Sequence, residues 1–161
     1  MLLHREEFHD RKLSSETQKK MECKVKWIGP EGMSFVAETE SGHAFVMDGA
    51  PEGGGRNLGP RPMETVLAGT GGCTAYDVVL ILRKSGQKIS RCEVQLTSER
   101  AETDPKVFTK IHMHFVVHGK DLKPSLVESA IKLSHNKYCS ASIMLGKTAT
   151  ITHDYEIVEN P

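Results

Sequence analysis

The four cysteines are the residues of this chain best suited to covalent chemistry: Cys23, Cys73, Cys92 and Cys139. None belongs to a Cys-x-x-Cys or zinc-type pair. Reduction of a peroxide by thiols needs one thiolate that attacks the O–O bond and a second thiol that condenses with the resulting sulfenic acid. Cys73, in a long apolar segment, and Cys139, at the break after a second helical segment, are candidates for these two thiols. The alternative is that both are small, inert core residues.

Other polar residues are weaker candidates for a site. His112, His114 and His118 share one face of a predicted strand, which is geometry for chelating a transition metal, or else a solvent-facing row of polar side chains. Asp77 lies one helical turn after Cys73 and is interpreted as a member of a satisfied polar network. His153 is interpreted as a hydrogen-bonded core histidine. None of these residues is assigned to catalysis or to a metal.

The segment that carries Cys73 has the length and composition of a largely buried helix, beginning at Pro62 and ending near Ser85. It contains Gly69, Gly71 and Gly72. Each glycine within a helix costs roughly 1 kcal/mol relative to alanine. We therefore expect another helix or chain to approach the bare backbone closely at this point.

The elements around this helix follow from hydrophobic periodicity. Residues with period-two alternation predict strands, and one amphipathic segment predicts a second helix. A loop rich in glycine and proline, residues 48–61, leads into the central helix. We expect one face of the first three strands to meet the core. In chain order the predicted elements are strands at 23–27, 33–39 and 43–48, the central helix, strands at 89–100 and 107–117, a helix at 123–136, a short apolar segment at 141–145 and a strand at 148–158, giving the α+β order βββ-α-ββ-α-β.

Size and charge limit the function classes. The 161-residue chain predicts a single globular domain, and its 21 basic and 21 acidic residues form no block of one sign. We therefore expect neither a nucleic acid nor a membrane surface as partner. The N-terminus becomes charged within a few residues, so we predict no signal peptide and a cytoplasmic location. Glu64 and Asp77 make the central helix a poor membrane span.

Four motifs resemble one known family: Pro62-x-Glu64, Gly71-Gly72-Cys73, Ser98-Glu99-Arg100 and Tyr138-Cys139-Ser140. They are similar to those of the OsmC/Ohr family, the osmotically induced and organic hydroperoxide resistance proteins. The resemblance covers residues 21–159 and leaves residues 1–20 as an N-terminal extension, interpreted as mobile or weakly helical. It implies an antiparallel sheet wrapped on a long central helix, and an intertwined homodimer with the central helices at its middle.

The resemblance also implies roles for site residues. In the family the first cysteine reacts with the peroxide and the second resolves the product, so these roles fall to Cys73 and Cys139. The family's peroxidases have a glutamate directly after the proline that opens the helix, whereas this chain has Met63 there and Glu64 one position later, about 100° around the helix. The arginine that pairs with this glutamate has no counterpart at the end of the third strand. Arg56 and Arg61 in the loop are the candidate substitutes, and Arg61 is the nearer to Glu64.

The function implied is a thiol-dependent hydroperoxide reductase in oxidative stress defence. Its substrate is an organic hydroperoxide, its reductant is an external dithiol, and it requires no metal, haem or flavin. The missing arginine and displaced glutamate support an alternative. In that alternative the protein is a non-catalytic member of the same fold that binds a small apolar molecule or senses redox state.

Overall fold

The structure is a computed structural model that describes residues 20–160. The predicted N-terminal extension, residues 1–20, lies outside the described residues except for Lys20. The regular elements, in chain order, are β1 (Cys23–Trp27), β2 (Ser34–Thr39), β3 (Ala44–Asp48), α1 (Pro62–Lys84), β4 (Lys88–Arg100), β5 (Phe108–Lys120), α2 (Pro124–Leu133), α3 (Ser140–Leu145) and β6 (Thr150–Glu159).

The predicted α+β class and element order are confirmed, with α3 replacing the short apolar segment. The second helix ends earlier than predicted, because the chain passes from α2 into a π-helical turn, Ser134–Tyr138, that leads to Cys139. A 3₁₀ turn, Pro51–Gly53, occupies part of the glycine-rich loop before α1. The site cysteine therefore follows a wide helical turn.

The strands form two three-stranded sheets, β1-β2-β3 and β4-β5-β6. The prediction of one antiparallel sheet needs correction, because β5 pairs with β6 in parallel while β4 pairs with β5 antiparallel. The reason is the connection: α2 and α3 carry the chain back to the starting end of β5, as a crossover between parallel strands requires. The core lies between this sheet and the helices, and its fully buried side chains include Val78, Leu82, Phe115, Val127 and Ile131.

The β1-β2-β3 sheet differs from the prediction that one face meets the core. Its strands pair antiparallel, and within the chain it contacts α1 through β3. Trp27 is 54% exposed, Val25 is 52% exposed, and Ala37 is the hydrophobic residue of the three strands that is buried. One face of this sheet thus carries apolar side chains that the rest of the described chain leaves uncovered.

Helix α1 has recognisable start and stop signals. Pro62 occupies its first turn, Glu64 accepts from the Arg61 backbone N–H at 2.9 Å, and Gly86 after its end has φ of +72°. A Cβ on Gly71 would lie 2.7 Å from Leu96 Cδ1, so this glycine lets α1 approach β4. A Cβ on Gly69 or Gly72 would meet no described atom within 4 Å. The expected close approach within the chain is therefore found at Gly71 alone of the three.

By length and composition alone, α1 is also a candidate membrane span. It has 23 residues, its most apolar window has a mean hydropathy of 1.5, and 28% of that window is buried. The core helix of a soluble protein has the same properties, so this is weak evidence for a span.

The loop between β3 and α1 is organised by the buried carboxylate of Asp48. It accepts backbone N–H bonds from Gly49 at 2.8 Å, Arg56 at 2.9 Å and Leu58 at 3.0 Å. The bond from Leu58, followed by those from Arg56 and Gly49, holds the pKa of Asp48 below its ordinary value of 3.8. The ionised carboxylate thus stabilises the loop that leads to α1.

We expect Asp48→Asn to lower the stability of the protein at neutral pH. Because the pKa of Asp48 is lower in the folded than in the unfolded protein, its ionisation stabilises the folded state at pH values above the ordinary pKa of 3.8. This contribution is lost as the pH falls through the folded-state pKa. The difference in urea midpoint between wild type and variant should therefore be largest near neutral pH and shrink below pH 3.8. A difference that stays constant with pH would mean that the charge of Asp48 does not contribute.

Candidate functional site

The structure brings Cys73 and Cys139 together. Cys73 lies on α1 and Cys139 immediately precedes α3, and both are free thiols. Their Sγ atoms and one carboxylate oxygen of Asp77 all lie within 4.8 Å of one another. Cys73 and Asp77 are half-buried, and Cys139 is fully buried. Two thiols predicted from widely separated segments therefore share one partly accessible site.

The position of Cys139 is set by the turn before it and the helix after it. Its N–H donates to the Ser134 carbonyl at 2.9 Å, which closes the π-helical turn. Its Sγ accepts from the Ser142 N–H at 3.4 Å and from the Ser142 hydroxyl at 3.1 Å. Burial raises the pKa of Cys139, the two Ser142 bonds oppose this, and the neighbouring Cys73 raises it further. Cys139 is therefore held mainly as a thiol at neutral pH.

Asp77 is the member of the site that the sequence did not assign. The hydroxyl of Ser134 donates to Asp77 Oδ2 at 3.1 Å and is 2.9 Å from the hydroxyl of Thr74. The predicted polar network around Asp77 thus exists within the chain. Asp77 comes four residues after Cys73, so both lie on one face of α1. This spacing is the sequence feature that indicates that Asp77 lies near the thiols.

Arg61 and Glu64 contact each other but lie away from the thiols. Arg61 Nη1 is 3.2 Å from Glu64 Oε1. Glu64 and Cys73 are nine positions apart on α1, which corresponds to about 14 Å along the helix and a half-turn around it. The Arg61 backbone N–H, followed by its guanidinium, holds the pKa of Glu64 below its ordinary value. In this structure the pair caps the start of α1.

A cavity of about 470 Å³ opens beside this pair. Its wall combines apolar side chains from α1 and β5 with the charged groups of Arg61, Glu64 and Arg100. Its apolar lining residues are Ala50, Pro62, Met63, Leu67 and Phe108. The cavity is suited to an apolar molecule with a polar end.

The histidines lie elsewhere. On the outer face of the β4-β5-β6 sheet, His114 Nδ1 is 2.6 Å and His112 Nε2 is 3.4 Å from Asp154 Oδ1. The hydrogen bond from His114, together with the charges of both histidines, lowers the pKa of Asp154. His153 is half-buried, its ring centroid lies 5.6 Å from that of His135, and burial lowers its pKa.

The chain is an α+β domain in which a cysteine on the central helix, Cys73, lies beside a second cysteine just before α3, Cys139. This combination of fold and thiol pair defines a class of protein, and comparison with known proteins identifies it. The family model described as OsmC-like protein matches residues 53–154. Protein YhfA of Escherichia coli (strain K12) is 49% identical over 138 residues, which cover 86% of this chain and 98% of that protein. The chain therefore belongs to the OsmC-like family.

Solved structures agree with this assignment. One solved structure is 47% identical to this chain and superposes with a TM-score of 0.79, and the alignment covers 87% of this chain and 100% of that one. The organic hydroperoxide resistance protein OhrB of Bacillus subtilis is 17% identical with a TM-score of 0.58, and the alignment covers 86% of this chain and 98% of that one. The likeness to OhrB shows the fold alone.

Proposed function

We propose that the protein is a cytoplasmic, thiol-dependent reductase of organic hydroperoxides that uses Cys73 and Cys139. The observation that carries the proposal is the pair of sulfur atoms within 4.8 Å of each other. Membership of the OsmC/Ohr family supports a stress-related redox role. The name of OhrB, an organic hydroperoxide resistance protein with this fold, is consistent with the substrate class.

The different environments of the two thiols assign their roles. Cys73 is the more accessible sulfur, so its thiolate attacks the O–O bond, takes one oxygen as sulfenic acid, and the other oxygen leaves as the alcohol after protonation. Cys139 is buried and held mainly as a thiol, so it acts second. Its sulfur displaces the sulfenic oxygen as water and forms the disulfide. An external dithiol then reduces the disulfide and becomes a disulfide itself.

The second step needs only local movement. A disulfide has an S–S length of about 2.05 Å. The present separation, at most 4.8 Å, can close through side-chain rotation and a shift of the short helix α3. This movement would disturb the Ser142 bonds to Cys139 Sγ.

Arg61 and Glu64 take a supporting part in this proposal. Their position places them in the wall of the 470 Å³ cavity. We assign them to the start of α1 and to the polar end of that cavity. Ile143 and Met144, which follow Cys139 on α3, are exposed apolar side chains of the described chain. We propose that an apolar substrate contacts them when it approaches the thiols.

The direct test uses the wild-type protein. Reduced protein is mixed with one equivalent of cumene hydroperoxide, and the products are mapped by peptide mass spectrometry. We expect a disulfide between Cys73 and Cys139 and one equivalent of alcohol. Multiple turnovers should follow when excess dithiol is added. Recovery of both cysteines as free thiols with the peroxide intact would refute the proposed activity.

We also propose that the chain forms a homodimer. The uncovered face of the β1-β2-β3 sheet and the exposed apolar residues of α1, Val66, Tyr76 and Leu80, are surfaces that a second copy would bury. A Cβ at Gly69 or at Gly72 would likewise meet no described atom within 4 Å. A second α1 approaching here would give these glycines the close contact that the sequence predicts.

For this dimer, we expect Gly72→Arg to shift the protein from dimer to monomer, because the long charged side chain would enter the proposed interface. The measurement is sedimentation velocity over a range of protein concentrations. Gly53→Arg is the matched control, since a Cβ at Gly53 also meets no described atom within 4 Å but lies in the loop. A wild type that remains monomeric at high concentration would contradict the proposal.

A second function is favoured by one observation. Among the described residues, the carboxylate of Asp77 lies beside the two sulfurs, whereas the guanidinium of Arg61 is held by Glu64 at the start of α1. An anion does not activate a thiol for attack. The alternative is a non-catalytic protein that binds a small apolar molecule or senses redox state. Native mass spectrometry should then find a co-purifying molecule on a peroxide-inert protein.

A further inference from the structure

The carboxylate of Asp77 beside Cys73 and Cys139 has no role in the proposed peroxide reaction. Three ligand atoms of types that bind transition metals meet at this point, two sulfurs and one oxygen, all within 4.8 Å of one another. We propose that the reduced protein binds one Zn²⁺ ion per chain through Cys73, Cys139 and Asp77. This inference does not depend on the proposed peroxidase activity.

The spacing fits a tetrahedral ion. Zinc binds thiolate sulfur at about 2.3 Å and carboxylate oxygen at about 2.0–2.2 Å, so ligand atoms on one tetrahedral ion lie about 3.5–3.8 Å apart. The three atoms here, within 4.8 Å of one another, need to approach by at most about 1.3 Å to reach that spacing. Three protein ligands leave a fourth position open to water, as in other three-ligand zinc sites.

The donor types select the metal. Thiolate is a soft ligand that favours Zn²⁺ over the hard cations Mg²⁺ and Ca²⁺, which require sets of oxygen ligands. Zinc binding releases the two thiol protons. The two thiolates and the carboxylate then surround the ion with a total charge of −3. Within the single chain Cys73 and Asp77 are half-buried, so the side chains of this chain do not seal the site.

The surrounding hydrogen bonds already orient two of the three ligands. Ser142 donates two hydrogen bonds to Cys139 Sγ, at 3.4 Å from its N–H and 3.1 Å from its hydroxyl, and these stabilise a thiolate. The Ser134 hydroxyl donates to Asp77 Oδ2 at 3.1 Å and so orients this carboxylate. Outer partners of this kind are typical of protein metal sites.

The test is a titration of the reduced, chelator-treated full chain with Co²⁺ as a spectroscopic probe, without oxygen. We expect thiolate-to-Co²⁺ charge-transfer absorption that saturates at one equivalent and is displaced by Zn²⁺. Cys73→Ser and Cys139→Ser should each weaken binding at least about 100-fold, and Asp77→Asn and Ser134→Ala about 10–100-fold. Cys23→Ser and Cys92→Ser are the controls and should titrate as wild type does.

A second measurement on the wild type avoids any effect of substitution on folding. Zn²⁺ should slow alkylation of Cys73 while leaving the rate at the exposed Cys23 unchanged. The proposal is overturned if wild type gives no charge-transfer band, if Asp77→Asn titrates as wild type does, or if Cys73 alkylates equally with and without Zn²⁺. Peroxide turnover measured with a chelator present tests the proposed function separately.

Discussion

Replacing Cys73 by serine should lower the rate of cumene hydroperoxide consumption at least about 100-fold, to the background of the buffer and dithiol. A serine hydroxyl stays protonated at neutral pH and cannot replace the thiolate as the attacking atom. The measurement is steady-state peroxide consumption by pure, chelator-treated protein with excess dithiothreitol. Equal and measurable rates for wild type and Cys73→Ser would rule out Cys73 as the reacting thiol.

The other cysteines provide matched controls. Burial raises the pKa of Cys92 to about 11, so it stays protonated, and Cys92→Ser should retain the wild-type rate. Cys23→Ser should do so as well, because this exposed residue lies on the separate sheet. In the absence of dithiol, Cys139→Ser should consume about one equivalent of peroxide per chain and hold a sulfenic acid at Cys73. Undiminished turnover by Cys139→Ser with a thioredoxin-type reductant would remove the resolving role.

The chemistry of the site was more predictable than its geometry. Residue type identified Cys73 and Cys139 as a possible redox pair, and the structure places their sulfurs within 4.8 Å. The approach of Ser134 to Asp77 had no sequence signal, because it arises from the π-helical turn that packs α2 against α1. Local helix spacing predicts neighbours one turn apart, whereas contacts between distant elements depend on how those elements pack.

Arg61 and Glu64 illustrate the same difference. The sequence predicted that they would be neighbours, and the structure places them in contact at 3.2 Å. Their assignment to the thiol site came from resemblance, and the helical period places Glu64 about a half-turn around α1 from Cys73. A one-residue displacement is enough to direct a side chain to a different face. Their part in catalysis stays a prediction.

The fold was predictable where the pattern is local. Hydrophobic periodicity located the strands and the two longer helices, and Pro62 and Gly86 marked the limits of α1. Pairing direction was missed for β6, because strand alternation is the same in parallel and antiparallel sheets. Alternation in β1 also predicted an apolar face without indicating what covers it, and in the single chain Trp27 remains exposed.

The loop between β3 and α1 should be especially sensitive to Gly55→Ala. A Cβ at this position would lie 1.8 Å from the Gly49 carbonyl oxygen and 2.3 Å from its carbon. Backbone atoms cannot rotate away as a side chain does, so the loop must shift and strain the bond from the Gly55 N–H to Ala50 O at 2.9 Å. We expect a loss of about 3 kcal/mol in the free energy of unfolding.

The matched substitution is Gly53→Ala, two residues earlier in the same loop. A Cβ there meets no described atom within 4 Å, so alanine should be neutral or stabilise by up to about 1 kcal/mol through a less flexible unfolded chain. Thermal unfolding at one fixed protein concentration distinguishes the two, with a decrease of roughly 10 °C in Tm for Gly55→Ala. Equal Tm values for Gly55→Ala and Gly53→Ala would show that the backbone at Gly49 moves aside for the new Cβ. The path of the chain into Arg61 and α1 would then not depend on the close approach of Gly55 to Gly49.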